Sequence, residues 1–163
     1  MVVVVILGIV AAAVMPDFTS TNDIKLDNAA NEIALALRFA QSEAIKTKIP
    51  HGIDIDTTND RLRVYRLPAT APVYDVYHPV DKKLYDLQLK TDATIGDVDV
   101  LSASFVFGTY TSSTTLEFSA DGVPKYTSAG ADAMLTSGAI TLGLQGQQRE
   151  IRIAPMTGRV TIQ

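Results

Sequence analysis

Cysteine is missing from this 163-residue chain. Its absence excludes a disulfide framework and any thiolate metal site, and leaves the compartment open. Histidine is scarce: His51 and His78 are the two in the chain. Neither stands in a ligand or catalytic spacing, so both are read as ordinary surface or strand-end side chains. There is no Gly-x-Ser-x-Gly elbow and no glycine-rich phosphate loop ending in Lys-Ser or Lys-Thr. Basic residues are outnumbered, 14 Lys and Arg against 18 Asp and Glu, for a net charge of −4. That balance argues against general nucleic-acid binding, which needs clustered cations to meet phosphates. Asp97 and Asp99 are expected on one strand face, but calcium takes about six to eight oxygens and no loop here has that spacing. They are read as a solvated acidic face. No cofactor, no metal ligand and no catalytic residue is expected, and the chain is not expected to be an enzyme.

Charge is also missing from the start of the chain: Met1 to Met15 carries no charged or polar side chain. A run of about 15 apolar residues falls short of the roughly 20 that span a bilayer as a helix. It fits a buried core helix, the apolar part of a signal peptide, or a membrane segment whose first turns lie upstream. Ala11-Ala12-Ala13 resembles a small-residue cleavage site, yet no basic residue precedes the run and the first lysine is Lys25. A core helix should show a polar face, and this stretch has none. Val2, Val3, Val4, Val5, Ile6, Leu7, Ile9, Val10 and Val14 are therefore assigned to a membrane or filament helix. Their valines favour strand in water, but lipid demands a backbone that satisfies its own hydrogen bonds.

Pro16 should bend or interrupt that helix, and Ser20, Thr21, Asn22 and Asp23 offer cap-type side chains. From Ile24 onward a second helical pattern is clear. Leu26, Ala30, Ile33, Leu37, Ala40 and Ala44 recur at steps of three and four, which predicts one apolar face packed on a globular head. Pro50 stops the pattern. A helix continuous from Met1 to Ile49 would be about 70 Å long at 1.5 Å per residue.

After Pro50 the period changes to two. Ile53 and Ile55 alternate with Asp54 and Asp56, and a four-residue loop leads to Arg61-Leu62-Arg63-Val64. This hairpin is predicted to set Asp56 opposite Arg61, Asp54 opposite Arg63, Ile55 opposite Leu62 and Ile53 opposite Val64. Between Leu67 and Thr115 short apolar runs appear at Val73 to Tyr77 and Leu84 to Leu89, with further strands suggested by Val98, Val100, Phe105 and Phe107. Asp121-Gly122 is a turn signal after Leu116 to Phe118, and the small, polar stretch from Tyr126 to Ser137 reads as an exposed loop. Ile140, Leu142 and Leu144, then Ile151 and Ile153, then Val160 and Ile162 mark closing strands. No repeat and no linker divides the chain. One long helix followed by short antiparallel strands makes it α+β. Arg149, Arg152 and Arg159 give the last strands a mild positive bias. Arg149 and Arg152 are expected to pair with neighbours such as Glu150 and Glu117.

Three stretches together resemble one family, the GspH/FimT minor pseudopilins. Met1 to Ala11 is similar to the middle of the prepilin N-terminal helix. Arg38-Phe39-Ala40-Gln41-Ser42-Glu43-Ala44-Ile45 resembles the family's helix signature, and Ile151-Arg152-Ile153 with Thr157-Gly158-Arg159-Val160 its closing strands. Phe118 with Gly122 matches a further internal feature, and Pro16-Asp17-Phe18 resembles the Pro-x-Phe of type IV pilins. Arg38, Ser42, Glu43, Ala44, Gly158 and Arg159 carry the motif. Relative to that pattern the N-terminus is expected to be truncated, and the leader site and the methylated residue fall outside this sequence.

The resemblance implies a pilin-like fold, a long N-terminal helix packed on an antiparallel β-rich head. Residues 1–22 would form the apolar membrane or filament helix. Residues 23–163 would form the pseudopilin head, with an amphipathic helix at 23–49 and β structure at 51–163. It implies a structural minor pseudopilin that assembles through its N-terminal helix near the tip of a pilus-like filament, in a type II secretion system or a type IV pilus. Expected partners are other pseudopilins or minor pilins, the inner-membrane assembly platform and an exported protein substrate; nucleic acid is not expected. The expected location is the bacterial inner membrane, single-pass, with a periplasmic head. Two alternatives stand beside it: a minor pilin taking part in DNA uptake, whose second arginine after Gly158-Arg159 is missing here, and a soluble periplasmic domain released by signal peptidase.

Overall fold

The three-and-four spacing of apolar residues produces α1 (Phe18–Thr47). In the computed structural model residues 18–92, 95–112, 114–128 and 131–163 are described; the apolar assignments from Val2 to Val14 lie outside them. Leu26, Ala30, Ile33, Leu37, Ala40 and Ala44 are all buried, and Ala29, Ala34 and Ala36 widen the same face. Alanine dominates this face, so the helix axis lies close to the sheets. Each fully buried Leu or Ile contributes about 1.5–3 kcal/mol.

The expected cap residues are not caps. Ser20 to Asp23 lie inside α1, where the turn ahead already occupies the backbone donors a cap would satisfy. Asn22 turns sideways instead, its Nδ2 donating to Gln145 Oε1 at 2.8 Å. At the other end α1 stops at Thr47, Lys48 adopts a left-handed φ of 58°, and Pro50 bars continuation.

β1 (His51–Asp56) and β2 (Arg61–Arg66) pair in the register read from the sequence, Ile53 with Val64, Asp54 with Arg63, Ile55 with Leu62 and Asp56 with Arg61. Ile53, Ile55, Leu62 and Val64 are buried on the core side. Arg63 reaches Asp54 at 2.5 Å. Asp56 and Arg61 do not form an ion pair. Asp56 accepts the Thr58 and Asn59 amides at 2.9 and 3.0 Å and so closes the turn, while Arg61 forks onto Asp86 of β3 (Asp86–Gln88), with its Nε at 2.7 Å.

Among the described residues the strands form two antiparallel sheets. The first runs β3-β2-β1-β6-β7-β8, completed by β6 (Thr115–Phe118), β7 (Pro124–Ser128) and β8 (Ala131–Met134). The second runs β11-β10-β9-β4-β5, built from β4 (Asp99–Phe107), β5 (Tyr110–Ser112), β9 (Ser137–Leu144), β10 (Gln147–Ile153) and β11 (Val160–Ile162). α1 packs on β1, β2 and β6 of one sheet and on β9, β10 and β11 of the other. Phe105, Phe107, Leu116 and Phe118 are buried in the core that both sheets share with α1.

Three expectations from the middle of the chain are corrected. The stretch from Tyr126 to Ser137 is not a loop: it contributes to the β7–β8 hairpin at the sheet edge, where Tyr126 stacks on Tyr110 with centroids 4.6 Å apart. Outward and edge positions tolerate small polar residues, so composition there does not report strand. Val73 to Tyr77 forms only isolated bridges, Arg66 with Val73 and Tyr77 with Leu84. Asp97 precedes β4 with a left-handed φ of 72°, so it does not share a strand face with Asp99. Each pairs with a lysine, Lys25 to Asp97 at 3.7 Å and Lys90 to Asp99 at 3.0 Å.

Candidate assembly surface

Gln41 stands one flank away from the buried stripe of α1, and three distant stretches of sequence meet there. Its Nε2 donates to the Gly122 carbonyl and to the Thr157 carbonyl, each at 2.8 Å. Gly158, with φ of 65°, brings its backbone so close that an added Cβ would lie 2.6 Å from Gln41 Nε2 and 2.9 Å from the Phe118 ring. Gly122, with φ of 79°, meets Ile45 in the same way. A side chain at either position would be both strained and crowded. Arg38, a turn before Gln41, reaches the Val160 carbonyl through Nη2 at 3.4 Å. The helix signature, Phe118 with Gly122, and Thr157-Gly158 thus form one junction that seats α1 on the last hairpin. Of the motif residues, Arg38, Ala44 and Gly158 are placed in it or beside it. Ser42 is exposed, Glu43 pairs locally with Lys46 at 3.1 Å, and Arg159 projects outward. Gln41 was not singled out by sequence reasoning. The available signal was an amide side chain immediately beside a buried alanine, within a motif that also required glycines elsewhere.

A second set of contacts holds the first half of α1. Arg149 donates to Asp27 Oδ1 at 2.8 Å and to Asp23 Oδ1 at 3.3 Å. It therefore pairs with the helix and not with Glu150 or Glu117, because its side chain emerges on the helix-facing side of β10. Arg152 pairs with Glu150 at 2.9 Å, as expected. Glu117 is buried and accepts the Tyr65 hydroxyl at 3.2 Å. Exposed pairs such as Arg149 with Asp27 contribute about 0–1 kcal/mol each, so they orient the helix more than they hold it.

The histidines are structural in their contacts. His51 is buried at the start of β1 with Nδ1 2.8 Å from the Ile49 carbonyl oxygen. His78 lies 3.3 Å from Asp81 and edge-on to Tyr85. Among the described residues no group of three or more His, Asp and Glu side chains is placed to hold a metal ion, and no helix is long and apolar enough to cross a membrane.

Two grooves mark the surface of the head. One, of about 750 Å³, lies on the outer face of the second sheet between Glu150, Arg152, Arg159, Thr157 and Thr161, floored by Ala139. The other, of about 390 Å³, runs between α1 at Asn28 and Glu32 and the segment bearing His78, Asp81 and Tyr85. Burial, with the Glu32 carboxylate as a lesser cause, pushes the Tyr85 hydroxyl up to about 12. The outward stripe of α1 leaves Ile24 61% and Leu35 50% exposed.

The fold is that of solved pilin-like heads. The minor pseudopilin EpsH of the type 2 secretion system of Vibrio cholerae matches with a TM-score of 0.56 at 17% identity, over 85% of this chain and 96% of that one. The type IV minor pilin FimU of Pseudomonas aeruginosa (strain PAO1) matches with a TM-score of 0.53 at 20% identity, over 90% and 92%. No curated protein sequence matches the chain. The family model described as type II transport protein GspH matches residues 29–157, a span that contains the helix signature, the Phe118–Gly122 feature and Gly158's preceding turn. With that match over most of its length, and with the pilin-like fold, the chain belongs to the GspH family.

Proposed function

We propose that this chain is a structural minor pseudopilin that assembles, helix inward, into a pilus-like filament of a type II secretion system or a type IV pilus. The observation that carries the reading is the two-sidedness of α1. One face is wholly occupied by the head, yet Ile24 and Leu35 on the opposite stripe stand in water. Helical spacing puts the two on one side of α1, where in this reading neighbouring helices in a fibre would cover them. The apolar sequence from Met1 to Met15 leads directly towards this helix and extends the same apolar character. In this reading residues 1–22 hold the subunit in the inner membrane before assembly and lie in the fibre axis afterwards. The head, 23–163, faces the periplasm near the filament tip. It meets other pseudopilins, the assembly platform and an exported protein. EpsH and FimU, which share the fold, come from the two kinds of machine between which the reading leaves a choice. The role is architectural, and no catalytic step is assigned to any residue.

A second reading, participation in DNA uptake, has one observation in its favour. Arg159 projects into the outer groove with no carboxylate in ion-pairing range among the described residues. The pairing of Arg152 with Glu150 and the net charge of −4 weigh against it. The test is genetic. Deleting the chain from its own cell should abolish filament assembly or export of the machine's cargo, with full recovery on re-expression. Unimpaired export and piliation, with DNA uptake alone lost, would move the role to the second reading.

A further inference from the structure

The first sheet ends at β3, and the backbone of that edge strand borders the cleft beside α1. The Val64 N–H donates to the Tyr85 carbonyl and the Leu89 N–H to the Asp60 carbonyl, each at 3.0 Å. Alternation along an antiparallel ladder then turns Leu87 towards β2 and the backbone groups of Asp86 and Gln88 away from it. The Gln88 carbonyl is taken by the Thr91 and Asp92 amides at 3.2 and 3.1 Å. The Asp86 N–H and carbonyl and the Gln88 N–H have no partner among the described residues. The edge of the second sheet at β11 differs, because Arg38 of α1 meets its Val160 carbonyl. On the α1 side the cleft is lined by Asn28, Asn31 and Glu32, and no lysine or arginine lines it. Three of its carboxylates are engaged within the head: Asp86 by Arg61, Asp81 by His78 and the Lys83 amide, and Asp92 by the Ile95 amide. Glu32, half-buried beside Tyr85, meets no cation among the described residues.

We infer that this cleft takes an extended segment of a neighbouring subunit of different sequence, which adds a short strand to β3 and sets a lysine or arginine against Glu32. The inference rests on the filament-subunit reading and adds to it the surface and mode of one contact. An open strand edge beside a helix flank suits strand addition, in which main-chain bonds supply affinity and side chains supply specificity. β3 is three residues long, which gives a match of about 10 Å at roughly 3.3 Å per residue. The unmet carboxylate selects a cationic occupant and disfavours an acidic one. The position suits a fellow subunit. Leu35, exposed on the outward side of α1, follows Asn31 by one turn, so the cleft lies next to the side assigned to the fibre. The occupant is another protein, so the contact ends with one partner and does not propagate, in keeping with a minor subunit near the filament tip.

The test is photo-crosslinking from the cleft, with the full-length chain in its own cells. Benzoylphenylalanine in place of Asn31, an exposed residue of the cleft wall, should on irradiation of isolated filaments give an adduct with another filament subunit. Mass spectrometry should place the attachment within a few residues of a lysine or arginine of that subunit. Adding Glu32→Gln should lower the adduct about fivefold or more. Gln88→Pro removes the edge N–H without touching the ladder to β2 and should lower it likewise, while Gln88→Ala, which keeps the N–H, should not. Circular dichroism melts establish that each variant head is folded. Three results overturn the inference: no adduct from filaments that contain the chain, an adduct only with a second copy of this chain or with an exported protein, or an adduct with another subunit that keeps its full yield in Glu32→Gln or in a folded Gln88→Pro. Absence of the unsubstituted chain from filaments is a different result and defeats the filament-subunit reading itself.

Discussion

Gln41 Nε2 occupies the position that confronts Gly158, 2.6 Å from where a Cβ on that glycine would be, and from there it bonds the Gly122 and Thr157 carbonyls. The pair works as one unit. The glycine allows the turn before β11 to approach α1, and the amide bonds a carbonyl on each of the two turns that meet there.

Gly158→Ala should therefore destabilise the head by about 1–3 kcal/mol, through a left-handed backbone and a crowded Cβ. Gln41→Ala should cost about 1–2 kcal/mol for two lost hydrogen bonds. Because both changes open the same junction, the double variant should cost less than the sum. Urea denaturation of the four proteins in this cycle measures each term.

The two faces of α1 should respond differently to the same chemistry. Leu37→Asp or Ile33→Asp buries a carboxylate with no partner, and should leave the head unfolded at physiological temperature. Leu35→Asp, on the half-exposed outer stripe, should stay within about 0.5 kcal/mol of the parent. Thermal melting followed by circular dichroism separates the outcomes, and an unchanged melt for Leu37→Asp would contradict the packing described.

Asp60 closes the β1–β2 loop with a φ of 49° and is buried. It accepts the Val100 amide at 2.7 Å and the Lys90 ammonium at 2.7 Å. Asp60→Ala should cost about 2–3 kcal/mol, since a buried amide loses its acceptor and a charged bond is lost with it. Asn, which tolerates the left-handed conformation, should recover part of the loss. The unfolding midpoints of the two variants provide the comparison.

Burial raises the hydroxyl of Tyr85 to about 12, against an unfolded value near 10, and raises that of Tyr65 further, where Glu117 adds to the effect. The folded state favours the neutral phenol. This contribution to stability is complete below about pH 10 and is lost as the pH climbs through the folded value. Stability should fall progressively above pH 10, and Tyr85→Phe should flatten the part of the decline between about 10 and 12. Denaturation midpoints recorded from pH 8 to 12 test the sign.

What could be read from the sequence was whatever has a period or a paired pattern. The buried stripe of α1 was legible because six residues repeat at helical spacing, and the β1–β2 register because charge and apolar patterns agreed on one alignment. The β7–β8 hairpin was not legible: at a sheet edge, with Tyr126 set against Phe107 and Tyr110 to position it, small polar residues give no alternating signal. Ion-pair partners were the least legible. Arg61 and Arg149 both leave their sequence neighbours for carboxylates on other elements, and a long flexible cation reaches several carboxylates of similar worth. The assembly surface was half visible. The motif named Arg38, Gly158 and Arg159, but nothing in the sequence showed that Gln41 joins its separated parts.

The most direct test of the central claim, that α1 gives one face to the head and the other to a fibre, is the amount of this chain in isolated filaments. Mass spectrometry of sheared filaments should detect the parent chain. It should find little or none of the Leu35→Asp chain, although the cells retain that variant in folded form at parental levels. Equal incorporation of Leu35→Asp and parent would contradict the claim.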